Sequence, residues 1–398
     1  MKLLIHSTEY PPGPGGIGAQ AHSLATELIR LDWQVRVVTV QSYSDRAEVQ
    51  AFNARQPYEV VQVPSVRPAL REGGRRFREV RRAIREWRPD IVMASGQRAL
   101  WVVALAGPAQ HVPWVAIVHA TELDARKAWV RGLTRWALKR AQAIVAVSRH
   151  TGGYLRRLGV AEVPAFVIGN GADPGRFQRL EATAIEELRQ RLDLVGARTI
   201  LTVGNLTERK GQEVVISALP EVLRKVPEAR YLMVGLPTEE SHLRALSESL
   251  GVSHAVRFLG YLKHEELVAA YNCCDVFAMT SQHTSVGDFE GYGIAVVEAA
   301  LCAKPAVVSE GSGLEEAVVA GETALVVPQS DAPATAEALV ALLGNESLRA
   351  PLGQAARQRA LAEQTWAARA VDYDRLLRDL TGGSQAAADL RLDSEVLP

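Results

Sequence analysis

The stretch "RTILTVGNLTERKGQEVVISALPEVLRKV", residues 198–226, determines the fold class of this chain. It begins with a short β-branched run that ends at a glycine, which is typical of a buried strand, and it ends with the longer apolar pattern of a helix. Five further short apolar runs follow, at residues 229–235, 255–260, 274–280, 304–309 and 324–328. Strands that alternate with helices in this way predict a parallel sheet covered by helices on both faces.

The first half of the chain shows the same alternation. Strands are predicted at Lys2–His6, Gln34–Val40, Asp90–Ala94, Trp114–Val118, Ala143–Val147 and Ala165–Ile168, and helices at Gly18–Leu31, Arg75–Trp87 and Val130–Arg140. A polar, charge-rich passage at 174–194 separates the two halves. The sequence therefore predicts an α/β protein with two doubly wound domains, residues 1–180 and 190–364. A final helix is expected at 365–381, and the small, polar residues 382–398 are predicted to be disordered.

The composition argues against several classes of protein. The 398 residues contain 45 Lys and Arg against 45 Asp and Glu, so no overall field attracts nucleic acid or a membrane. The three cysteines, Cys273, Cys274 and Cys302, form no Cys-x-x-Cys pair, and their odd number favours a reducing compartment over a disulfide framework. No apolar run approaches the roughly 18 residues of a spanning helix. We therefore expect a cytoplasmic protein, attached at most to the inner face of a membrane.

A glycine-rich loop, "YPPGPGGIGAQ" at 10–20, follows the first predicted strand and leads into the first helix. Gly13, Gly15 and Gly18 match G-x-G-x-x-G, the dinucleotide-binding pattern. However, six residues separate His6 from Gly13, and the second strand does not end in the acidic residue that would hold a ribose. Backbone amides at a helix N-terminus also bind other anions. The loop is interpreted as a ligand-binding turn, with a nicotinamide site and a turn without ligand as the alternatives.

A second candidate site lies in the second half. The segment "VGNLTERKG" at 203–211 places Arg209 and Lys210 between a strand and a helix, at the sheet edge where α/β folds bind ligands. The segment "EGYGIAVVE" at 290–298 follows the strand at 274–280 and begins another helix. The first amides of that helix, at residues 291–294, carry partial positive charge. Together these groups predict a site for a diphosphate.

Two glutamates flank the start of this helix. Glu290 lies in the preceding loop, where its carboxylate could accept hydrogen bonds from the hydroxyls of a polyhydroxylated ligand. Glu298 lies inside the helix and could accept from a ribose diol, because a buried carboxylate without such donors is costly. Taken alone, Glu290 is better explained as an ordinary loop residue and Glu298 as a partner of the helix dipole. The combination with two cations and two glycines favours a binding site.

The complete set of motifs resembles the signature of family-four glycosyltransferases, the retaining nucleotide-sugar enzymes related to bacterial phosphatidylinositol mannosyltransferases and sucrose synthases. The Glu-x7-Glu element at 290–298 and the segment 302–328 carry the resemblance most specifically. Further segments resemble the family's glycine loop, histidine segment, domain-closing strands and phosphate loop, at 9–28, 118–123, 143–148, 167–177 and 203–211. The resemblance covers nearly the whole chain.

The resemblance implies a glycosyltransferase-B fold, in which two Rossmann-like domains face a central cleft. The N-terminal domain would bind the acceptor, the second domain would bind the donor, and the last helix would cross back to the first domain. The implied reaction moves a hexose from a UDP- or GDP-sugar to a glycan, a lipid-linked or a small-molecule acceptor. The product would serve the synthesis of cell-envelope polysaccharide or glycolipid. The sequence does not decide between the two bases.

The resemblance also implies roles for individual residues. His119, Lys210 and Glu290 match catalytic positions. The implied donor-binding residues are Gly15, Gly16, Asn205, Arg209, Lys210, Glu290, Gly291, Tyr292, Gly293, Ile294 and Glu298. Asn205 stands where many members of the family have an arginine, and Arg209 is expected to supply the missing charge. For His119 alone, the alternative is an ordinary histidine at the end of a strand.

Neither a metal nor another cofactor is expected. Many transferases of other folds bind a metal through a D-x-D motif, and here the only match is Asp372 to Asp374, inside an amphipathic helical pattern. We interpret that match as helix surface. The resemblance therefore implies a metal-independent mechanism.

Two segments are rich in arginine, at residues 71–89 and 126–140. Basic helices that contain tryptophan can lie on anionic lipid, and peripheral contact with a membrane is one interpretation. A solvated helix face is the other. For the function as a whole, an NAD-dependent oxidoreductase and a non-catalytic nucleotide-sugar binder remain the alternatives to a glycosyltransferase.

Overall fold

The alternation of strands and helices forms two parallel sheets in the computed structural model, which describes residues 1–65, 69–107, 111–120, 122–123, 127–285, 287–382 and 388–392. The strands of the first sheet are β1 (Lys2–Ser7), β2 (Gln34–Thr39), β3 (Glu59–Gln62), β4 (Ile91–Ser95), β5 (Trp114–Val118), β6 (Ala143–Ala146) and β7 (Ala165–Val167). Their order is β3-β2-β1-β4-β5-β6-β7. Every side chain of β4, β5 and β6 is buried, because helices cover both faces of a parallel sheet.

Six helices follow these strands in the chain. They are α1 (Gly16–Arg30), α2 (Arg46–Ala54), α3 (Ala69–Trp87), α4 (Gln97–Ala106), α5 (Ala128–Leu138) and α6 (Arg149–Leu158). The sequence indicates helices between most of these strands but gives no bounds for α2, α4 or α6, and it does not predict β3. The strand β3 lies at the sheet edge and has no fully buried side chain, so it lacks an apolar run. Gly152 and Gly153 interrupt the helical pattern of α6, and α4 is apolar on nearly all sides.

The second sheet has the order β10-β9-β8-β11-β12-β13. Its strands are β8 (Arg198–Val203), β9 (Ala229–Val234), β10 (Val256–Phe258), β11 (Val276–Met279), β12 (Ala306–Ser309) and β13 (Ala324–Val327). The surrounding helices are α7 (Ala182–Arg191), α8 (Gln212–Lys225), α9 (Glu240–Ser249), α10 (His264–Cys273), α11 (Ile294–Leu301), α12 (Leu314–Ala317), α13 (Ala332–Gly344) and α14 (Glu346–Glu363). Leu219 of α8 and Leu339 of α13 are fully buried in the core beside this sheet.

The chain forms two compact units, Met1–Gly171 with Trp366–Pro398, and Ala172–Thr365. The first boundary therefore lies before the predicted position at 180–190. The passage at 174–194 contains α7, a helix of the second unit in which no residue is fully buried. Its many charged residues explain why the sequence indicated a linker. Both sheets and their alternating helices confirm the predicted α/β fold class.

The last helix, α15 (Trp366–Gly382), belongs to the first unit, although the second unit precedes it in the chain. It packs against α1, where Tyr373 is fully buried. The indole of Trp33 donates to Asp374 Oδ1 over 2.6 Å, which fixes the helix beside the end of α1. This arrangement agrees with the return of the last helix that the family resemblance implies.

The prediction of a disordered tail at 382–398 was wrong for the part that the structure describes. Leu392 donates its backbone N–H to Ala165 over 2.8 Å, and Arg391 forms a bridge with Phe166 at the edge of the first sheet. Leu392 is also buried against Gly152, where a Cβ would lie only 2.7 Å from its side chain. The unpaired edge of β7 and one apolar side chain thus order this segment. Residues 383–387 and 393–398 lie outside the described residues.

Candidate active site

The loops that carry the second candidate site follow neighbouring strands. The chain passes from β8 to β9 on one side of the sheet, and β11 lies on the other side of β8. In such a sheet, the loops at the carboxyl ends of the two central strands separate and leave a crevice that binds ligands. Residues 204–211 follow β8, and residues 280–293 follow β11. The predicted cations and Glu290 therefore lie at the same edge of this sheet.

The loop after β8 is fixed against the end of β11 by its backbone. Gly211 has a φ of 67°, and a Cβ there would lie 1.8 Å from the Thr280 carbonyl oxygen, so only glycine fits. The Thr280 hydroxyl donates to the Gly211 carbonyl over 2.8 Å. The Gln282 amide donates to the Arg209 carbonyl over 2.9 Å. These contacts hold the backbone of both cationic residues at a fixed distance from the loop that contains Glu290.

Arg209, Lys210 and Glu290 form one ion cluster. Lys210 Nζ lies 2.7 Å from Glu290 Oε2, and Arg209 Nη1 contacts the same carboxylate oxygen. Arg209 Nε lies 3.2 Å from Asp288 Oδ2, so its guanidinium bridges two carboxylates. The sequence did not indicate Asp288. Both predicted cations thus face the predicted glutamate.

Burial and charge act in opposite directions on this cluster. Burial would raise the pKa of the Glu290 carboxyl, but the charges of Lys210 and Arg209 outweigh it and lower that pKa to about 2. Burial lowers the pKa of the Lys210 ammonium more than Glu290 raises it. Burial also disfavours the charged form of Arg209, but Glu290 and Asp288 outweigh it and raise the pKa of the guanidinium. Glu290 is therefore a buried carboxylate that its two cations keep ionised.

The turn before α11 depends on close backbone packing. Gly293 has a φ of 90°, and a Cβ there would lie 2.4 Å from Leu314 Cδ2. The Gly313 amide donates to the Glu290 carbonyl over 3.0 Å, and a Cβ on Gly313 would lie 1.9 Å from the Gly291 carbonyl oxygen. The turn therefore places Glu290 directly before the N-terminus of α11, which begins at Ile294. This helix end adds partial positive charge near the two cations.

The structure limits the roles of two predicted donor-binding side chains. The Tyr292 side chain is buried, and its hydroxyl accepts from Gln364 Nε2 over 3.2 Å, so only its backbone is placed to meet a ligand. Asn205 is exposed, and its backbone carbonyl accepts from Gln212 Nε2 over 3.2 Å. Arg209, rather than Asn205, lies beside Glu290. The prediction that Arg209 supplies the charge missing at position 205 is consistent with this geometry and stays a prediction.

Glu298 lies one helical turn inside α11 and has a partner that sequence reasoning missed. The Tyr271 hydroxyl donates to Glu298 Oε2 over 2.6 Å. Burial raises the pKa of the Glu298 carboxyl, and the hydrogen bond from Tyr271 opposes that rise. A tyrosine in the apolar pattern of α10 looks like an ordinary core residue in the sequence, and no spacing distinguishes it. Glu298 is therefore anchored by a neutral donor, whereas Glu290 is anchored by cations.

The glycine loop of the first unit also has a special backbone. Gly15 is the N-cap of α1 with a φ of 144°, and a Cβ there would lie 2.1 Å from Glu9 Oε2. Gly16 begins the helix, and both glycines are exposed. The structure thus places two exposed glycines at a helix N-terminus, as the sequence predicted. That Gly15 and Gly16 contact a donor stays a prediction.

His119 follows β5 and lies next to the end of β4. Its Nε2 atom is 2.8 Å from the Ser95 hydroxyl oxygen, and burial lowers the pKa of the imidazole to about 3. Glu122 Oε2 accepts the backbone N–H groups of His119 and Ala120, each over 3.0 Å. Ala120 has a φ of 132°, an unfavourable conformation for a residue with a Cβ, and the carboxylate of Glu122 stabilises it. Sequence reasoning missed this role of Glu122.

The D-x-D match lies on α15, as predicted, and its carboxylates have partners. Asp374 Oδ1 accepts from Trp33 and, over 2.6 Å, from Arg378 Nε. Asp372 lies 3.9 Å from Arg369. Within the described ranges, no group of three or more His, Cys, Asp or Glu side chains has the geometry of a metal site.

Two family models together match most of the chain. The family model described as Glycosyltransferase Family 4 matches residues 14–176, and the model described as Glycosyl transferases group 1 matches residues 184–359. A glycogen synthase of Mycobacterium tuberculosis is 29% identical over 92% of this chain and 92% of its own length. A GDP-mannose-dependent alpha-(1-6)-phosphatidylinositol monomannoside mannosyltransferase of Mycolicibacterium smegmatis is 29% identical over 96% of this chain and 100% of its own length.

A solved structure shares the fold. The Anabaena protein Alr3699/HepE, crystallised with UDP and glucose, superposes with a TM-score of 0.80 over 95% of this chain and 100% of its own, at 22% identity. The two family models leave only the ends of the chain and residues 177–183 unmatched. The chain therefore belongs to the family-four glycosyltransferases and has the glycosyltransferase-B type of fold. It is an enzyme that transfers a glycosyl group from a nucleotide sugar.

Proposed function

We propose that this enzyme transfers a hexose from a UDP- or GDP-sugar to a lipid-linked acceptor, with retention of the anomeric configuration and without a metal ion. The observation that carries the proposal is the cluster of Arg209, Lys210 and Glu290 beside the N-terminus of α11. One relative is named for GDP-mannose and phosphatidylinositol monomannoside, and a structural neighbour contains UDP. Both bases are therefore candidates. The second unit is assigned to the donor and the first to the acceptor.

The positive charges are suited to the departure of a diphosphate. As the bond between the anomeric carbon and the phosphate oxygen breaks, its electron pair moves to the diphosphate. Arg209, Lys210 and the first amides of α11 stabilise that charge as it develops. The acceptor hydroxyl forms the new bond on the same face of the sugar and gives its proton to the departing phosphate oxygen, the nearest base on that face. The positive charge that a metal supplies in other transferases is then provided by the protein.

The two glutamates are assigned different tasks. Glu290 pairs with both cations, so a diphosphate would compete with its carboxylate for them, and Glu290 would then accept hydrogen bonds from sugar hydroxyls. Glu298 lies farther along α11 and is assigned to the ribose. The partly buried imidazole of His119 is neutral at physiological pH, because desolvation lowers its pKa to about 3. We therefore assign His119 a hydrogen bond to the reacting sugar rather than transfer of a proton from an imidazolium.

The first test is a thermal-shift screen with UDP, GDP and their hexose derivatives, because ligand binding raises the free energy of unfolding by RT ln(1 + [L]/Kd). Stabilising donors are then incubated with a lipid extract, and transfer is measured with and without excess EDTA. We expect transfer to continue in EDTA, and complete loss that manganese restores would contradict metal independence. Binding without any transfer would support the non-catalytic alternative.

The variant Lys210→Ala should lose diphosphate affinity. Lys225→Ala, which changes an exposed lysine of α8, is the control.

An arginine-rich face of the first unit supports the lipid-linked acceptor. The helices α3 and α5 both pack against α4, so the structure brings the two arginine-rich segments to one side of that unit. Arg71, Arg78, Arg81, Arg82, Arg85 and Arg88 are exposed in or directly after α3. Trp129 of α5 is 62% exposed and Leu105 of α4 is 55% exposed. Arg126 lies outside the described residues. Exposed cations next to apolar side chains are suited to an anionic bilayer.

Vesicle sedimentation tests this membrane contact. Vesicles of phosphatidylcholine with added phosphatidylglycerol should bind the enzyme at low salt and release it at high salt, because exposed charges are screened. Charge reversal at Arg78 and Arg85 should abolish sedimentation. Reversal of Arg224 and Lys225 in the second unit is the control. Equal sedimentation of both double variants would return the segments to the interpretation as a solvated face. Among the described helices, none is long and apolar enough to cross a membrane.

A further inference from the structure

A buried tyrosine holds the glutamate that we assign to the ribose. Tyr271 lies in α10 and is fully buried. Its ring packs edge-on against Phe177 with centroids 5.6 Å apart, and it lies 5.8 Å from the ring of Phe277. Aromatic contacts on two sides leave this side chain little freedom. Its hydroxyl therefore presents a donor at a fixed point, 2.6 Å from Glu298 Oε2.

This hydrogen bond determines which part of the Glu298 carboxylate is available. A carboxylate has two oxygens, and a donor as close as the Tyr271 hydroxyl orients the group and occupies a lone pair of Oε2. The remaining acceptor positions, mainly on Oε1, are left for a ligand. Burial raises the pKa of this carboxyl, and the tyrosine opposes that rise, so the hydroxyl also helps to keep the acceptor ionised.

We propose that Tyr271 is a positioning residue that orients Glu298 for hydrogen bonds to the ribose hydroxyls of the donor, and that this pair gives the enzyme its preference for ribonucleotides over deoxyribonucleotides. The inference rests on the proposed function of Glu298 and extends it to a residue that touches no substrate. A site with a fixed buried acceptor discriminates against a ligand that lacks the donor, because the acceptor is then left unpaired.

The experiment compares Tyr271→Phe with Tyr231→Phe, which is a matched control. Tyr231 is also fully buried in the second unit, and its hydroxyl lies 2.8 Å from the Thr202 hydroxyl in the core rather than next to Glu298. Calorimetry measures the affinity of each variant for UDP and GDP and for their 2′-deoxy and 3′-deoxy counterparts. We expect Tyr271→Phe to weaken binding of the ribonucleotide by about tenfold, the scale of one hydrogen bond to a charged group. The affinity for the deoxynucleotide that lacks the hydroxyl bound by Glu298 should stay unchanged. Tyr231→Phe should change neither.

Two variants of Glu298 separate this inference from the proposed function. Glu298→Ala removes the acceptor and should abolish the preference for ribonucleotides, and adding Tyr271→Phe to it should have no further effect, because the tyrosine acts through the glutamate. Glu298→Asp leaves the tyrosine ring in place and shortens the reach to the ribose, so it should also lose the preference. This second variant tests the geometry even if Tyr271→Phe does not fold.

The outcomes are distinct. Should Glu298→Ala keep the preference for ribonucleotides, the assignment of Glu298 to the ribose is wrong, and the inference about Tyr271 is wrong with it. If Glu298→Ala loses the preference but Tyr271→Phe keeps it, only the role of Tyr271 is overturned. Equal losses for ribonucleotides and deoxynucleotides in Tyr271→Phe would indicate a purely structural tyrosine. A positioning role also predicts a change with pH. The hydrogen bond from Tyr271 lowers the pKa of Glu298, so on acidification the affinity of Tyr271→Phe for the ribonucleotide should begin to fall at a higher pH than that of the wild type.

Discussion

Glu122 in the first unit and Glu290 in the second are both buried carboxyls next to a predicted catalytic residue, yet they are held in opposite ways. Glu122 is 1% exposed, and its Oε2 atom accepts the backbone amides of His119 and Ala120. Glu290 is 8% exposed, and one of its oxygens contacts both Lys210 and Arg209. Burial raises the pKa of Glu122 to about 6, and the two cations lower the pKa of Glu290 to about 2.

The difference shows that a full charge, and not the number of hydrogen bonds, decides the ionisation of a buried carboxyl in this protein. Both carboxyls lose the hydration that favours the charged form. Backbone amides, of Glu122 itself and of His119 and Ala120, only partly replace that hydration around Glu122, and the nearby carboxylate of Glu9 adds to the rise. Two cations more than replace it around Glu290. Glu122 is thus suited to hold a strained backbone turn, and Glu290 is suited to occupy a site built for negative charge.

The largest expected effect comes from removing the charge of Glu290. Glu290→Gln keeps the shape of the side chain but leaves Arg209 and Lys210 without their internal counter-charge. We expect binding of UDP or GDP to become tighter, because the carboxylate no longer competes with the diphosphate for the two cations. Transfer should nevertheless fall by about 10²–10³, the scale for loss of a group aimed at the reacting centre. Calorimetry and initial rates measure the two effects, and weaker nucleotide binding in this variant would contradict the competition.

This expectation could not be reached from the sequence. The motifs placed Arg209, Lys210 and Glu290 in loops that follow two strands, and the parallel topology places those loops at one sheet edge. Eighty positions separate Lys210 from Glu290, and nothing in the chain indicated that both cations would contact one oxygen. From the sequence alone, Glu290 is expected to accept hydrogen bonds from ligand hydroxyls, and no contact with the two cations is predicted. The ion pairs add the expectation that loss of its charge raises the affinity for the nucleotide.

Residues that support others were harder to predict than residues that carry charge in a motif. Tyr271 has the residue type and spacing of a core helix, and Glu122 lies in a short loop without periodicity. The same holds for elements of the fold: β4, β5 and β6 are continuous apolar runs, and such runs predict buried strands well. The helix α7 has no buried residue, and the ordered residues 391–392 depend on a partner strand far away in the sequence. Local pattern therefore predicts elements with their own apolar signal and misses those that depend on distant contacts.

The second prediction tests the two opposite pKa shifts through the stability of the protein. Glu122 has a raised pKa in the folded state, so its contribution is fully present below its usual value of 4.5 and is lost as the pH rises through about 6. Glu290 has a lowered pKa, so its contribution is present above 4.5 and is lost as the pH falls toward 2. Urea unfolding at a series of pH values measures both. Glu122→Gln should remove pH dependence of about 2 kcal/mol between pH 4.5 and 6.

Glu290→Gln is the natural counterpart in that series. It should change the slope only on the acid side of pH 4.5 and should leave the region between 4.5 and 6 unaltered. A change in the same pH window for both variants would mean that the two carboxyls are not held in opposite ways.

The smallest expected effect concerns Asp288, which lies between the two extremes. Its Oδ2 atom lies 3.2 Å from Arg209 Nε, and Glu290 contacts the same guanidinium. Burial nevertheless raises the pKa of Asp288 despite that cation. Its Oδ1 atom is buried without a hydrogen-bond partner among the described residues. The charge of Asp288 is therefore only partly compensated, and its ionisation costs stability as the pH rises above its usual range. Asp288→Asn should leave the free energy of unfolding at neutral pH unchanged or raise it by less than about 1 kcal/mol, because the side chain is 32% exposed and such pairs contribute little. It should also tighten nucleotide binding by less than about tenfold, since Arg209 keeps Glu290 as a partner.

Asp193→Asn is the control, because Asp193 pairs with Arg257 at 3.1 Å while its side chain is 96% exposed. Urea unfolding and calorimetry with UDP and GDP check both expectations. A loss of stability above about 1 kcal/mol in Asp288→Asn would show that Arg209 stabilises the Asp288 carboxylate as it does that of Glu290. Asp288 would then not be intermediate between Glu290, which cations hold, and Glu122, which backbone amides hold.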